Sequence, residues 1–525
     1  MRGRLFAGAA VFGAALVSGG WLVQRGITPT QGAAARSRLL DDVMAKVRDS
    51  YVEPVADSVL YRHTVEGMLR QLRDPHSTYL SAERLQRLME RTQANYAGVG
   101  LQVDIRDGWP TVLSIFPGSP AERAGVEIGD RIVEVKGQTT RGWTVDETVR
   151  AVRGAPGTTV GIAIERPGTP VRIPLTVARE AIHVRAVRRA TLLPGNVGYV
   201  DVNEFSEVVT QELVAAVDSL VRAGMTGLVL DLRGNPGGLL DQGVAVTDLF
   251  LDPGQTIVTV RARGVEGTHT YADGKPQSWA TLPVVVLING GSASASEIVV
   301  GALQDHDRAV ILGSPSYGKG SAQSVFPLTN GGALKLTTAR WFTPSGRSIS
   351  KPVRPTRDEP DADVEATKDD TIARFRTDAG RAVRGGGGIV PDVLVGDTAA
   401  SPAEQALQRA LGGQMGIFRD AIADHAATVK AAHGLTSPDF PVTAAMREQL
   451  FARMRARGLK VDRSVYDDAS EVVNELLGAE VARYSFGVEA MFRRRMATDP
   501  VMQRAVSLLT GVKTPAQLLA RAKAP

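Results

Sequence analysis

Three features of the 525-residue sequence predict an α/β protein with added parts. Short, nearly all-apolar runs alternate with helical segments beyond about Gly198, a β-rich stretch punctuated by Gly and Pro precedes them, and helical periodicity marks both ends. The runs Gly227–Leu232, Pro283–Ile288 and Ala309–Leu312 have the composition of parallel strands covered on both faces. Helical segments at about 239–250 and 295–304 lie between them, so right-handed crossovers are expected. With 43% hydrophobic and 22% charged residues the chain is a folded globular one, long enough for several domains.

In chain order, Arg2 and Arg4 precede an uncharged apolar run from Leu5 to about Val23, the pattern of an export signal. The run is near the lower length limit for a spanning helix and Ala33-Ala34-Ala35 offers a small-residue cleavage site, so residues 1–35 are expected to be a cleaved signal or a membrane anchor. Residues 36–92 form a helical region (Leu39, Val43, Val47; Val65, Met68, Leu69, Leu72) broken by the turn Asp74-Pro75-His76-Ser77-Thr78-Tyr79. Residues 93–180 carry short β-branched runs and one helix, opened by a Thr144/Glu147 capping box with Val145, Val149 and Val152 on one face. The α/β core spans 181–398 with a polar insertion at 351–384, and 399–525 is a helical C-terminal region.

Composition narrows the chemistry. No cysteine is present, which excludes a thiol nucleophile, a cysteine-ligated zinc, disulfides and a lipidated cysteine. The formal charge of +5 is small and dispersed, giving nucleic-acid binding no support.

If the three core strands are parallel, the loops after them face one edge of the sheet, where functional groups gather in such folds. Those loops are Arg233-Gly234-Asn235-Pro236-Gly237-Gly238, Gly290 to Glu297 with three serines, and Ser314 to Ser321 with Lys319. The serine loop opens a helix, so free backbone N–H groups point at whatever a serine attacks, a natural oxyanion site. The Gly237-Gly238 turn could supply a second donor. An isolated run of Ser and Ala would more often just cap the helix. Of the seven histidines, His306 lies at the far end of that helix, roughly 18 Å away, and none of the others falls in these loops. Lysine is then the better base. To be neutral, Lys319 needs burial to lower an ordinary value near 10.4 by about three units, roughly 4 kcal/mol. Gln323 can orient the amine without adding charge. The segment Gly313 to Lys319 imitates a phosphate loop, but Gly320 stands where Ser or Thr is needed and strands follow instead of a helix.

Five ordered motifs carry a resemblance: Asp74–Tyr79; Gly118-Ser119-Pro120-Ala121-Glu122-Arg123-Ala124-Gly125 with Gly129-Asp130; Asp231–Gly238; Ser292–Glu297; and Tyr317-Gly318-Lys319-Gly320. Over about residues 37–395 the chain resembles the carboxyl-terminal processing proteases, serine peptidases with an inserted PDZ domain. The resemblance implies a crotonase-like protease core around a PDZ domain. It also implies Ser294 as nucleophile, Lys319 as general base, Gln323 as its partner, and an oxyanion hole from the Ala295 N–H with one from Gly237 or Gly238. Ser292 and Ser296 would be neighbours only. Gly98, Val99, Gly100 and Leu101 would hold a terminal carboxylate and an extended peptide, with Val145 and Val149 lining the groove. No metal or other cofactor is implied. Expected partners are proteins or peptides with accessible C-termini, with room for an activating adaptor and for self-association. The setting would be the periplasm, or the inner membrane facing it. The rival reading is a non-catalytic PDZ-bearing adaptor or chaperone on a protease scaffold. The sequence departs from the family where Gly388-Ile389-Val390-Pro391-Asp392 follows the polar insertion, and where no motif transfers to the helical end.

Overall fold

The structure is a computed structural model that describes residues 31–264, 267–351, 374–396 and 401–523. Residues 1–30 of the expected export segment and most of the polar insertion lie outside these residues. Among the described residues no helix is long and apolar enough to cross a membrane.

The chain divides into two compact units. One comprises residues up to Met89 with Val260–His269 and Ser321–Trp341. Its helices Gln31–Ser50 and Asp57–Gln71 lead to the short strand Thr78–Leu80. That strand pairs antiparallel with the strand Ala333–Phe342, which also pairs with Ser321–Pro327. The Asp74–Tyr79 turn is tied by the Asp74 carboxylate, which accepts from the His76 N–H (3.0 Å) and the Ser77 hydroxyl (2.5 Å). The periodic residues Leu39, Val43, Met68 and Leu72 are exposed.

The other unit contains everything else, in three layers of construction. Residues 101–178 form a six-stranded antiparallel sheet around Val112, Ile132, Val160, Ile164 and Val177, all nearly inaccessible. Leu101–Arg106 is its edge strand, and the helix Val145–Val152 begins at the Thr144/Glu147 capping box. The core is a six-stranded sheet in which Val197–Val202, Gly227–Asp231, Val284–Ile288 and Val310–Gly313 run parallel in that order. Every residue of these four strands is buried, the reason the sequence shows continuous apolar runs rather than alternation.

The C-terminal helices do two jobs. Pro500–Leu509 and Pro515–Ala522 lay Val501, Met502, Ala505, Leu508, Leu509 and Leu518 against Tyr199, Val229, Leu287 and Leu312 on one face of the sheet. Residues 402–486 form a second core around Phe418, Leu450, Tyr466, Val473 and Leu477, with Ile128 of the β-rich module packed against it. Arg457 binds the Asp107 carboxylate at 2.6 and 2.8 Å, and Lys430 binds Glu127 at 2.6 Å. Helical packing therefore clamps both the sheet and the module.

Candidate active site

The parallel register brings the three loops after Asp231, Ile288 and Gly313 to one edge of the sheet. Hydrogen bonds then weld them together. Asn235, fully buried, accepts at its carbonyl from the Ala293 N–H (3.0 Å) and the Ser296 hydroxyl (2.9 Å). Ser292 donates to the Leu232 carbonyl at 2.8 Å. Two of the three serines thus spend their hydroxyls on buried carbonyls. Ser294 alone is half-buried.

Ser294 precedes the helix Ala295–Asp305 with φ 56° and ψ −115°, a conformation costly for a residue with a side chain. Such strain persists only where its surroundings enforce it. Here Glu297, fully buried, is the enforcer. Its Oε2 accepts from the Ser294 N–H (2.8 Å) and the Lys319 N–H (3.0 Å), and its Oε1 from the Gly318 N–H (2.7 Å) and the Ser316 hydroxyl (2.5 Å). The backbone nitrogens of Ser294 and Lys319 are therefore no farther apart than two hydrogen bonds laid end to end. Burial pushes the Glu297 carboxyl above its ordinary range, against four donors that favour the charged form. The sequence shows Glu297 only as the last residue of the serine loop; nothing local showed that it joins two loops.

Gly237 approaches the serine so closely that a Cβ there would lie 2.6 Å from the Ala293 oxygen and 2.8 Å from the Ala295 nitrogen. Its N–H donates to Asn235 Oδ1 at 2.9 Å, a bond that an oxyanion at Gly237 would have to share or displace. Gly238 bridges Phe205 through its neighbours, the Phe205 N–H bonding the Gly237 oxygen and the Leu239 N–H the Phe205 oxygen, which leaves the Gly238 N–H outside that pairing.

Lys319 is half-buried and is followed by the strand Ser321–Pro327, not the helix a phosphate loop requires. Gln323 lies on that strand in the other compact unit, where its amide donates to Ser321 (2.9 Å) and Thr337 (3.3 Å). The Gly388–Asp392 element reaches the lysine loop despite the insertion before it: Ile389 exchanges bonds with Ser316, its N–H to the hydroxyl at 2.7 Å and its oxygen to the N–H at 3.1 Å. His306 bonds Asp378 and the Thr256 oxygen, both at 2.7 Å, and His425 is completely buried with a pKa lowered to about 4 by desolvation. Both are packing groups.

In the β-rich module, Gly98 and Val99 are buried ahead of the edge strand. Gly100 has φ +82°, and a Cβ on it would lie 2.2 Å from the Ser119 Cβ, so only glycine fits. Leu101, Val145 and Val149 are half-buried, leaving apolar surface beside the unpaired strand edge.

Residues 196–359 match peptidase family S41, and residues 111–166 match the PDZ domain. The carboxy-terminal-processing protease of Bartonella bacilliformis is 41% identical over 312 residues, 59% of this chain and 71% of that protein. The chain belongs to this family of serine peptidases. The protease is also 35% identical over 312 residues to the carboxy-terminal processing protease CtpA of Bacillus subtilis, covering 59% of this chain and 66% of that one. A solved PDZ domain of the carboxy-terminal protease from Vibrio cholerae, in complex with peptide, has 25% identity and a TM-score of 0.16, covering 17% of this chain and 99% of that one.

Proposed function

We propose that the protease cleaves protein tails in the cell envelope with a Ser294/Lys319 dyad. The carrying observation is the Glu297 carboxylate, whose one oxygen receives the main chain of both residues while Ser294 is held at positive φ. Ser294 Oγ attacks the scissile carbonyl and its proton passes to a neutral Lys319 Nζ. The N–H groups of Ala295 and Gly238 receive the developing oxyanion, with the positive end of the Ala295–Asp305 helix behind them. Lys319 then protonates the departing amine, and the acyl-enzyme is released by a water that Lys319 deprotonates. The edge strand Leu101–Arg106 takes an extended C-terminal tail by β-augmentation, its carboxylate at Gly98–Leu101 and its apolar side chains against Val145 and Val149. An export segment within residues 1–35 delivers the protease across the membrane, where an adaptor or a second copy could engage it.

The test compares digestion of casein by the full-length protein and by its Ser294→Ala and Lys319→Ala forms. Each substitution is expected to lower cleavage at least ~1,000-fold. Equal digestion by all three would remove the dyad. Tail binding by a Ser294→Ala protein that retains no cleavage is shared by the adaptor reading, so wild-type cleavage decides between them.

A further inference from the structure

The C-terminal helical region lies outside both matched families, yet it ends one of its ion pairs at the catalytic edge. Asp499 sits between the helices Val488–Thr498 and Pro500–Leu509. Its Oδ1 caps the second helix, accepting from the Val501 N–H (2.9 Å) and the Met502 N–H (3.2 Å). Its Oδ2 accepts from an Arg233 terminal nitrogen at 2.6 Å. The helix it caps is fixed by the packing of Val501, Met502, Ala505, Leu508 and Leu509 on the sheet. Asp499 is thus a rigid point, not a side chain on a swinging loop.

Arg233 opens the turn that ends at Gly238. Its Nε and other terminal nitrogen form a fork on the Asp231 carboxylate at 2.7–3.1 Å, its own N–H bonds the same group at 3.0 Å, and Tyr199 donates to it at 3.0 Å. Asp231 therefore suffices to neutralise the guanidinium. The remaining nitrogen is the one that reaches across 266 positions of sequence to Asp499. From Arg233 the linkage continues through an exposed bond, the Gly234 N–H to Asn289 (2.9 Å), and then through buried ones that bind the same turn to the serine loop: the Ala293 N–H and the Ser296 hydroxyl to the Asn235 oxygen, and Ser292 to the Leu232 oxygen. A shift of Arg233 would be passed to the turn glycines and to the serine loop, where tenths of an ångström matter for an oxyanion donor.

We propose that the C-terminal helical region completes the active site, with Asp499 as a positioning residue that holds Arg233 and so sets the turn carrying Gly238. This rests on the reading of Ser294 as nucleophile and of that turn as part of its oxyanion hole. The competing role for Asp499 is the helix cap alone, and two substitutions separate them. Asp499→Ser keeps a capping oxygen but is too short for the guanidinium; Asp499→Glu keeps a carboxylate for Arg233 but caps poorly.

The experiment uses the full-length protein, with kcat and KM measured on labelled casein and amide hydrogen exchange read over residues 233–239. Asp499→Ser is expected to lower kcat about tenfold at unchanged KM and to speed exchange of the turn about tenfold, with Asp499→Glu within about twofold of wild type in both. Wild-type kcat and unaltered exchange in Asp499→Ser would overturn the proposal, as would loss in Asp499→Glu alone, which would assign everything to the cap. Exchange does not depend on the nucleophile. A fully active Ser294→Ala form would therefore overturn the underlying reading of the serine, while slow exchange in Asp499→Ser would overturn this one.

Discussion

Among the described helices that begin with a hydroxyl residue followed three positions later by glutamate, those at Thr144 and Ser294 do different things. At Thr144 the N-cap is relaxed, with φ −78° and ψ 166°, and the Glu147 carboxylate accepts from the Thr144 N–H at 2.7 Å in full solvent. At Ser294 the same backbone bond exists at 2.8 Å, but the serine is at positive φ and the Glu297 carboxylate is buried under three further donors from the lysine loop. Solvent lets the first pair act locally, with Glu147 held below its ordinary range chiefly by the Thr144 N–H. Burial makes the second pair non-local, because a carboxylate hidden from water needs every donor it can recruit. A motif thus becomes a site through its surroundings.

The largest expected effect tests that contrast. Glu297→Ala strands three backbone N–H groups and a hydroxyl in a buried place and should cost roughly 3–5 kcal/mol of unfolding free energy in urea. Glu147→Ala should leave the urea midpoint nearly unmoved. Comparable losses at both sites would erase the distinction drawn from burial.

Next in size is strain. Ser294→Gly removes the side chain that makes positive φ expensive, and should stabilise the protein by about 1–2 kcal/mol while abolishing cleavage. A destabilised Ser294→Gly protein would show that no strain was stored there.

Thr144→Ala should cost about 1 kcal/mol through the lost cap and leave kcat on casein unchanged. A fall in kcat would mean that the module's helix reports to the active site.

The smallest effect is in pH. Folded Glu297 keeps its proton to higher pH than the unfolded chain, whose ordinary value is 4.5, so its contribution to stability declines as pH rises from there through the raised folded value. Glu147, with its lowered value, contributes oppositely: its stabilisation is present above 4.5 and is lost as pH falls through the folded value. Urea midpoints across pH 4–8 should show the declining limb in wild type and not in Glu297→Gln; an identical profile in the two proteins would contradict the direction assigned to Glu297.

The parallel strands were legible because short, nearly all-apolar runs alternating with helical segments have the composition of strands covered on both faces: Gly227–Asp231, Val284–Ile288 and Val310–Gly313 fall within a residue of the runs. The Thr144 cap was legible because its two partners, Thr144 and Glu147, are only three positions apart. The exposed faces of Leu39, Val43 and Met68 were not foreseen, since periodicity shows that a face exists and not what covers it. Gly237 was chosen with Gly238 because both are glycines; only the Asn235 side chain separates them.

Composition and order alone determined that the chemistry needs no thiol, that the serine loop opens a helix, and that loops bearing Ser294 and Lys319 follow neighbouring strands. Those are properties of adjacent residues, and short-range sterics and hydrophobic periodicity govern them. Tertiary structure decided which serine keeps its hydroxyl near the surface, that one buried carboxylate receives the main chain of both residues, and that Asp499 closes on Arg233 from the far end of the chain. These depend on desolvation and on distances set by packing, and a linear order of side chains contains neither.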